Sequence, residues 1–335
     1  MTKDIYILAV ESSCDETSMA IVKNGKECID IVTSTQIKVH ELYGGVVPEI
    51  ASRMHTEAVT IVYEELMKKT SIKIEEIDAV AVTYAPGLKG SLLVGIEAAK
   101  ALAFAFNKPL IAVNHMAGHI YANNLEGDLL FPSLALVISG GHTDLVLMED
   151  DYKFKALGST LDDAIGETYD KVARVVGLKY PGGPNIEREA LSGYVTYPLS
   201  KSMLDDSYNF SFSGLKSNVL NLVNNERQKG NEINVQDLAA SFQYIATEQL
   251  VRKTELALKN NEVKQLIIAG GVSANQYIRA ELTKLSEKYQ IETKVPSFKY
   301  CTDNAAMIGA AAYPLFIKGE FADLSLNANS HGEIY

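Results

Sequence analysis

Apolar residues in this chain gather in short runs that end in glycine or small polar residues, and these runs alternate with stretches of helical period. Residues 5–10 form the first run, with β-branched character, followed by Glu11-Ser12-Ser13-Cys14-Asp15-Glu16-Thr17-Ser18 and a second run over 19–22. That pattern predicts strand, polar turn, strand, and residues 29–34 predict a third strand. Over 48–69 the period changes to that of a helix, with Ile50, Met54, Val59, Ile61, Val62 and Leu66 as its apolar face. A buried strand at 79–82 runs into Tyr84-Ala85-Pro86-Gly87-Leu88-Lys89-Gly90-Ser91, where a helix starts and continues to about residue 106. The next strand, 110–113, leads into Asn114-His115-Met116-Ala117-Gly118-His119.

The pattern then repeats. Residues 134–138 predict a strand, Ser139-Gly140-Gly141-His142-Thr143-Asp144 a glycine-bearing turn, and 145–148 the returning strand. A buried strand at 265–269 ends in Gly270-Gly271-Val272-Ser273-Ala274-Asn275 and a helix through residue 282, repeating the strand–glycine–helix unit at 79–90. A last strand at 293–295 leads through Cys301-Thr302 to Asp303-Asn304 and an alanine-rich helix to about residue 317. In this register Ser139 matches Glu11 and Asp303 matches His115. The expectation is a duplicated α/β fold: one lobe over 1–130, a second over 131–335, and a helical insertion at roughly 180–235 in the second. Two such lobes facing each other would make a cleft lined by glycine turns, with Asp303 entering it from the lobe opposite the histidines.

Composition narrows the class. The chain has 335 residues, 47% of them hydrophobic, enough for more than one core. There is no run of 18 apolar residues and no signal-like apolar core after Met1, so the expectation is a cytoplasmic protein without membrane contact. The three cysteines, Cys14, Cys28 and Cys301, are far apart and odd in number, which argues against a disulfide framework and for a reducing compartment. A net charge of −11 gives no global footprint for nucleic acid. A polynucleotide would have to be met by a local basic patch or through a partner.

His115 and His119 stand four apart, so on a helix both imidazoles project from one face and can hold a divalent cation. The pair lacks the glutamate of His-Glu-x-x-His, so a zinc protease of that type is not indicated. Asp303 is the candidate third ligand, with a helix N-cap as its alternative role. Two imidazoles and a carboxylate with open positions suit Fe(II) or Zn(II) and can polarise a carbonyl. Cys301 reads as a small buried residue; His40 and His55 have no partners in sequence and read as structural or surface residues. Ser12, Ser13 and Ser139 lack a base and elbow for acyl-serine hydrolysis.

The turns at Ser139-Gly140-Gly141, Gly270-Gly271 and Pro86-Gly87-Leu88-Lys89-Gly90 all follow predicted strands. Glycine there lets backbone N–H groups approach phosphate oxygens, and three such turns point to nucleotide binding. None has Walker A or Rossmann spacing. In Asp162-Asp163-Ala164-Ile165-Gly166-Glu167-Thr168-Tyr169-Asp170-Lys171, Asp170 is placed to accept a ribose hydroxyl, or the segment is a solvated acidic helix start. Tyr180-Pro181-Gly182-Gly183-Pro184 is a rigid turn, either a pocket wall or a connector.

Taken together, these motifs, with Gly44-Gly45-Val46-Val47-Pro48-Glu49-Ile50-Ala51-Ser52-Arg53-Met54-His55 and Phe212-Ser213-Gly214-Leu215-Lys216, resemble the bacterial tRNA N6-adenosine threonylcarbamoyltransferases, formerly described as glycoproteases. The resemblance runs over almost the whole chain; only the tail, 324–335, carries no clear motif. It implies the fold of actin, the heat-shock chaperone ATPases and sugar kinases. It implies that His115, His119 and Asp303 hold iron or zinc, and that Val137, Ile138, Ser139, Gly140, Gly141, Asp170, Gly183 and Asn275 bind the adenylate substrate, with Glu187 on the same wall. The implied reaction moves a threonylcarbamoyl group from threonylcarbamoyl-AMP to N6 of adenosine 37 in the tRNA anticodon loop. Glu11 and Asp15, with Glu16, are candidates to steer the amine or take its proton. The implied partners are a smaller paralogue of the same fold and an ATPase subunit. The competing readings are a small-molecule kinase of this fold, which would not need His115 or His119, and a secreted metallopeptidase, which the missing motifs disfavour.

Overall fold

A computed structural model describes residues 3–201 and 203–334. The chain divides into two compact units: residues 1–129, 151–153 and 296–335 form the first, and residues 130–150 and 154–295 the second.

In the first unit, β1 (Tyr6–Glu11), β2 (Glu16–Lys23) and β3 (Glu27–Thr35) form an antiparallel meander. It is followed by α1 (Ile37–Glu41), α2 (Pro48–Lys69), β4 (Ala79–Ala85), α3 (Lys89–Ala105), β5 (Leu110–Asn114) and α4 (His115–Tyr121). The sheet order is β3-β2-β1-β4-β5, with β4 parallel to both β1 and β5. One core under this sheet is formed by Leu8, Val10, Ile21, Val80 and Val82 against Val62, Leu66, Leu92 and Ile96 of α2 and α3. Helix α2 spans the residues predicted for it, but Ile61 is 57% exposed instead of on the buried face, which Ala51, His55, Val62 and Leu66 make.

The second unit repeats the plan: β6 (Ser133–Ile138), β7 (Thr143–Asp150) and β8 (Lys153–Ser159), then α5 (Ile165–Val175), α6 (Gly182–Ala190), α7 (Ser213–Gln228), α8 (Val235–Asn260), β9 (Gln265–Ala269), α9 (Gln276–Tyr289) and β10 (Glu292–Lys294). Its sheet order is β10-β9-β6-β7-β8, the first sheet's order with each strand replaced by its repeat. The core joins Leu134, Leu136, Ile138, Leu266 and Ile268 to Ile165, Val172, Phe242, Leu250 and Ile278. The helices α6 and α7 fall in the expected insertion, whose loop is tied down by the fully buried Lys253: its Nζ donates to Asp205 Oδ1 at 2.6 Å and to the carbonyls of Asp205 and Ser207.

Two helices finish the chain, α10 (Phe298–Cys301) and α11 (Ala305–Lys318). They belong to the first unit, so the boundary expected at residue 131 does not hold to the end of the chain. The reason lies in side-chain size. Residues Ala305 to Ala312 of α11 are all buried, and small residues let the helix backbone approach the first sheet closely. A Cβ on Gly309 would lie 2.5 Å from a Val22 methyl, and one on Gly118 of α4 would lie 2.7 Å from Ile308. The tail 319–334 then crosses the same unit; Tyr335, part of the predicted motif-free tail, lies outside the described residues. No described helix is long and apolar enough to cross a membrane.

Candidate active site

The first unit presents a cluster of buried donors. Strand β5 ends at Asn114, whose side chain accepts from the N–H groups of Met116 and Ala117 and so caps α4 as the chain turns from extended to helical. His115 and His119 then project together, ring centroids 4.6 Å apart and nearly perpendicular. Asn304, not Asp303, caps α11 through Met307 N–H, which frees the Asp303 carboxylate. Asp303 Oδ1 lies 3.5 Å from His115 Nε2 and 3.2 Å from His119 Nε2, and one donor atom from each of the three residues lies within 4.8 Å of the others. His115, His119 and Asp303 are therefore brought together as predicted, but within one unit rather than from facing lobes.

A second layer orients the first. Glu11, fully buried at the end of β1, accepts from Ser13 N–H and Thr83 Oγ1, each at 2.5 Å, and faces His115 Nδ1 at 3.2 Å. Ser13 Oγ also pairs with His115 Nδ1 at 3.1 Å. This directs Nδ1 to the carboxylate and Nε2 to Asp303, the arrangement found behind metal-bound imidazoles. Glu11 thus has both oxygens engaged, Oε1 by Ser13 N–H and Oε2 by Thr83 and His115. Thr83 and the Ser13–His115 pair are not legible in the sequence, which signals them only by an acidic residue at the end of a buried strand.

Electrostatics separate the two imidazoles. Burial works against the charged form of His115, but Asp303 and Glu11 outweigh it and hold its pKa well above the ordinary histidine value. His119 is pushed below that value by burial and by the neighbouring His115 cation. Burial acts to raise Asp303 and Glu11, yet His115 and His119 lower Asp303, and His115 with the Ser13 hydrogen bond lowers Glu11. Beside them the half-buried Glu16 is lifted well above the carboxylate range by desolvation and by the charges of Asp15 and Asp303. Asp15 is itself 8% exposed. Both ring nitrogens of the fully buried His119 lack a hydrogen-bond partner; Asp303 is near but misaligned. A buried imidazole without partners is costly unless a ligand takes a lone pair, so these residues fit a divalent metal.

His40 and His55, assigned no partner from sequence, are fully buried structural residues. His55 bridges Thr17 Oγ1 at 2.7 Å and the Cys14 carbonyl at 2.9 Å; His40 pairs with Gln36 and accepts from Val47 N–H.

In the second unit the candidate residues surround the ends of β6 and β9. After Val137 and Ile138, the turn closes by Ser139 N–H to the His142 carbonyl and by His142 N–H to Ser139 Oγ. Gly166 lets α5 start against this turn: a Cβ there would lie 2.5 Å from the Ser139 carbonyl oxygen, and Glu167 N–H donates to the Gly140 carbonyl. Gly270, at φ +89°, passes Ile138 at a distance that would put a Cβ 2.4 Å from its carbonyl oxygen. Asp170 Oδ1 accepts from Gly182 N–H at 2.6 Å and anchors the Pro181-Gly182-Gly183 turn; burial raises its carboxyl. Glu187 Oε1 accepts from Gln276 N–H at 2.6 Å, joining α6 to the start of α9. Asn275 caps α9 through Ile278 N–H and donates to Gln243 Oε1, so its side chain is committed to the fold. Around this frame Gly140, Gly141, Gly183 and Gly271 face open space, with nothing within 4 Å of an added Cβ. Backbone left bare by glycine is what a phosphate or nucleoside can approach closely.

Two sheets of the same order, each a meander followed by parallel strands and flanking helices, define the class: the actin, heat-shock chaperone and sugar-kinase fold. Solved structures agree. HypF from T. kodakarensis matches with a TM-score of 0.65 at 13% identity, over 96% of this chain and 49% of that one. The (R)-2-hydroxyglutaryl-CoA dehydratase component A of Acidaminococcus fermentans matches at 0.54 and 15% identity, over 92% of this chain and 98% of that one. At such identities the likeness concerns the fold alone.

The family comes from sequence. The family model for tRNA N6-adenosine threonylcarbamoyltransferase matches residues 27–310. A protein of that name from Staphylococcus saprophyticus is 53% identical over 100% of this chain and 98% of its own length, and one from Staphylococcus aureus 52% identical over 99% and 97%. The chain belongs to the tRNA N6-adenosine threonylcarbamoyltransferase family and is a transferase; the kinase reading is not favoured.

Proposed function

We propose that this protein transfers the threonylcarbamoyl group of threonylcarbamoyl-AMP to N6 of adenosine 37 in tRNAs that read codons beginning with A. The observation that carries the reading is the buried His115–His119–Asp303 cluster with its unpartnered His119, set in a chain of this family. In the transfer, N6 bonds to the carbamoyl carbon, the bond from that carbon to the phosphate oxygen breaks, AMP leaves, and the amine gives up a proton. The amine is a poor nucleophile because its lone pair is delocalised into the ring, so most of the help required is positioning and charge stabilisation.

His115, His119 and Asp303 would hold Fe(II), with Zn(II) the other ion this donor set suits. Bound there, the ion supplies a Lewis acid for the carbamoyl carbonyl. Glu11, through Nδ1 of His115, keeps that ring oriented. Asp15 is proposed as the group that steers the amine or takes its proton. In the second unit, backbone amides of the Ser139-Gly140-Gly141 turn and of Gly183 would hold the adenylate phosphate, Asp170 a ribose hydroxyl through its second oxygen, and Val137, Ile138, Glu187 and Asn275 the walls.

The second substrate is tRNA, presented by its anticodon loop with the adenine splayed out. At a net charge of −11 the chain has little general attraction for a polyanion, which supports docking through partners: a smaller paralogue of this fold and an ATPase subunit. We place the protein in the cytoplasm, where tRNA is modified. The test compares wild type with His115→Ala in a reaction holding threonylcarbamoyl-AMP, unmodified tRNA and the partner subunits. Modified adenosine is read by mass spectrometry and bound metal by elemental analysis. Loss of both in the variant is expected; full product without bound metal overturns the metal's role, and ATP consumed on a small acceptor in place of product overturns the transferase reading.

A further inference from the structure

The segment 324–334 carries no sequence motif, yet its path is specific. Its entry is a bridge in which Ala322 N–H donates to the Leu110 carbonyl at 2.8 Å, covering the start of β5, the edge strand of the first sheet. Leu326 and Ala328 pack on the core under that sheet. Asn329 N–H then donates to the Tyr84 carbonyl near the end of β4, at 3.0 Å. Two residues on, His331 N–H donates to Asn329 Oδ1, which turns the chain toward the end of β5. Gly332 passes Ala85 so closely that a Cβ there would stand 2.4 Å from the Ala85 Cβ.

At that point the tail meets the cluster described above. Asn114 Nδ2 donates to the Gly332 carbonyl at 3.2 Å and to the Glu333 carbonyl at 3.1 Å. The same amide's Oδ1 accepts from Met116 and Ala117. An amide has one oxygen and one NH₂, so a tail holding the NH₂ fixes which way the oxygen points. Asn114 immediately precedes His115, and its side chain is only 6% exposed. We infer that the tail is a positioning strap: the Gly332 and Glu333 carbonyls lock the Asn114 side chain, and Asn114 in turn sets the first turn of α4 and the direction of the His115 ring. The inference rests on the metal reading of His115, His119 and Asp303.

The physical case is one of tolerance. A ligand set must be held to within a fraction of an ångström, and α4 is a single seven-residue helix whose start depends on one cap. Without the tail, Asn114 can turn its amide over and the cap is lost intermittently. The cost falls on preorganisation of the site rather than on the core, because Gly332 and Glu333 bury no large side chain.

Co(II) titration of the purified protein, followed by its visible absorption band and by a thermal unfolding scan, tests the strap. Gly332→Val should push the tail off Ala85, and removal of residues 330–335 should delete the contact without adding bulk. Both should weaken Co(II) binding about tenfold, the effect expected when an outer-layer partner of a metal ligand is lost, and both should alter the band while the apo thermal midpoint stays near wild type. Unchanged Co(II) affinity and band in both variants overturn the inference. So does a loss of affinity that only follows a lowered thermal midpoint, since that is global destabilisation. If the wild type itself takes up no Co(II), the metal reading fails and the strap with it; wild-type binding that the variants share leaves the metal reading standing and sinks the strap alone.

Discussion

The two units share one strand order but differ in what they offer a substrate. The first concentrates titratable side chains, Glu11, Asp15, Glu16, His115, His119 and Asp303, most of them buried. The second leaves backbone bare at Gly140, Gly141, Gly183 and Gly271 and commits Asp170, Glu187 and Asn275 to bracing the turns. The difference teaches that a duplicated fold can gather titratable side chains in one repeat and bare backbone in the other. Buried charges are costly and tolerable only in mutual compensation, whereas open glycine turns provide donors at little electrostatic cost.

The largest effect that would break this contrast lies in the first unit. Asp303→Ala removes a proposed ligand and the charge that compensates the His115 cation, so transfer should fall on the order of 10³-fold with loss of bound metal. Elemental analysis and product formation check it, and retention of metal would show that the other two residues suffice. Next is the scaffold of the second unit. Gly270→Val combines a positive φ with a collision at Ile138, and should cost about 3–5 kcal/mol in urea unfolding of that unit. A cost below about 1 kcal/mol would mean that the β6–β9 approach is slack.

Proton competition sharpens the comparison further. The metal-free His115 pKa lies well above the unfolded value of about 6.5, so the stability that its charge adds is full below that pH and lost as pH rises through the folded value. A metal needs the neutral ring, so metal affinity should rise with pH by up to about tenfold per unit above pH 6.5 until His115 has lost its proton. Isothermal titration at several pH values measures it; a flat profile would place the neutral ring in the apo protein. Smallest is Gly140→Ala. Open space around Gly140 predicts a stability change within about 0.5 kcal/mol, yet adenylate binding should weaken about tenfold if the backbone must approach a phosphate closely. Equal affinity for wild type and variant would remove Gly140 from the site.

Much of this was legible without coordinates. The period-2 and continuous apolar runs placed β1, β4, β6 and β9 because a strand buried on both faces requires an uninterrupted run, and the helical period from about Pro48 placed α2. The spacing of His115 and His119 determined that they share a face, since helix geometry is local. What sequence could not supply was anything set by approach between distant segments. Asp303 joins the histidines because the small residues of α11 allow it against the first sheet, contrary to the expected lobe boundary. Glu11 and Ser13 converge on His115 from β1 and the turn after it, with Thr83 of β4 bracing Glu11, and Asn114 meets the Gly332 and Glu333 carbonyls over 200 residues away. Local sequence thus determined the elements and the residue types they carry. Tertiary packing alone decided which lone pairs were left free for a metal, because that depends on which partners the fold brings within 3 Å or so of each one.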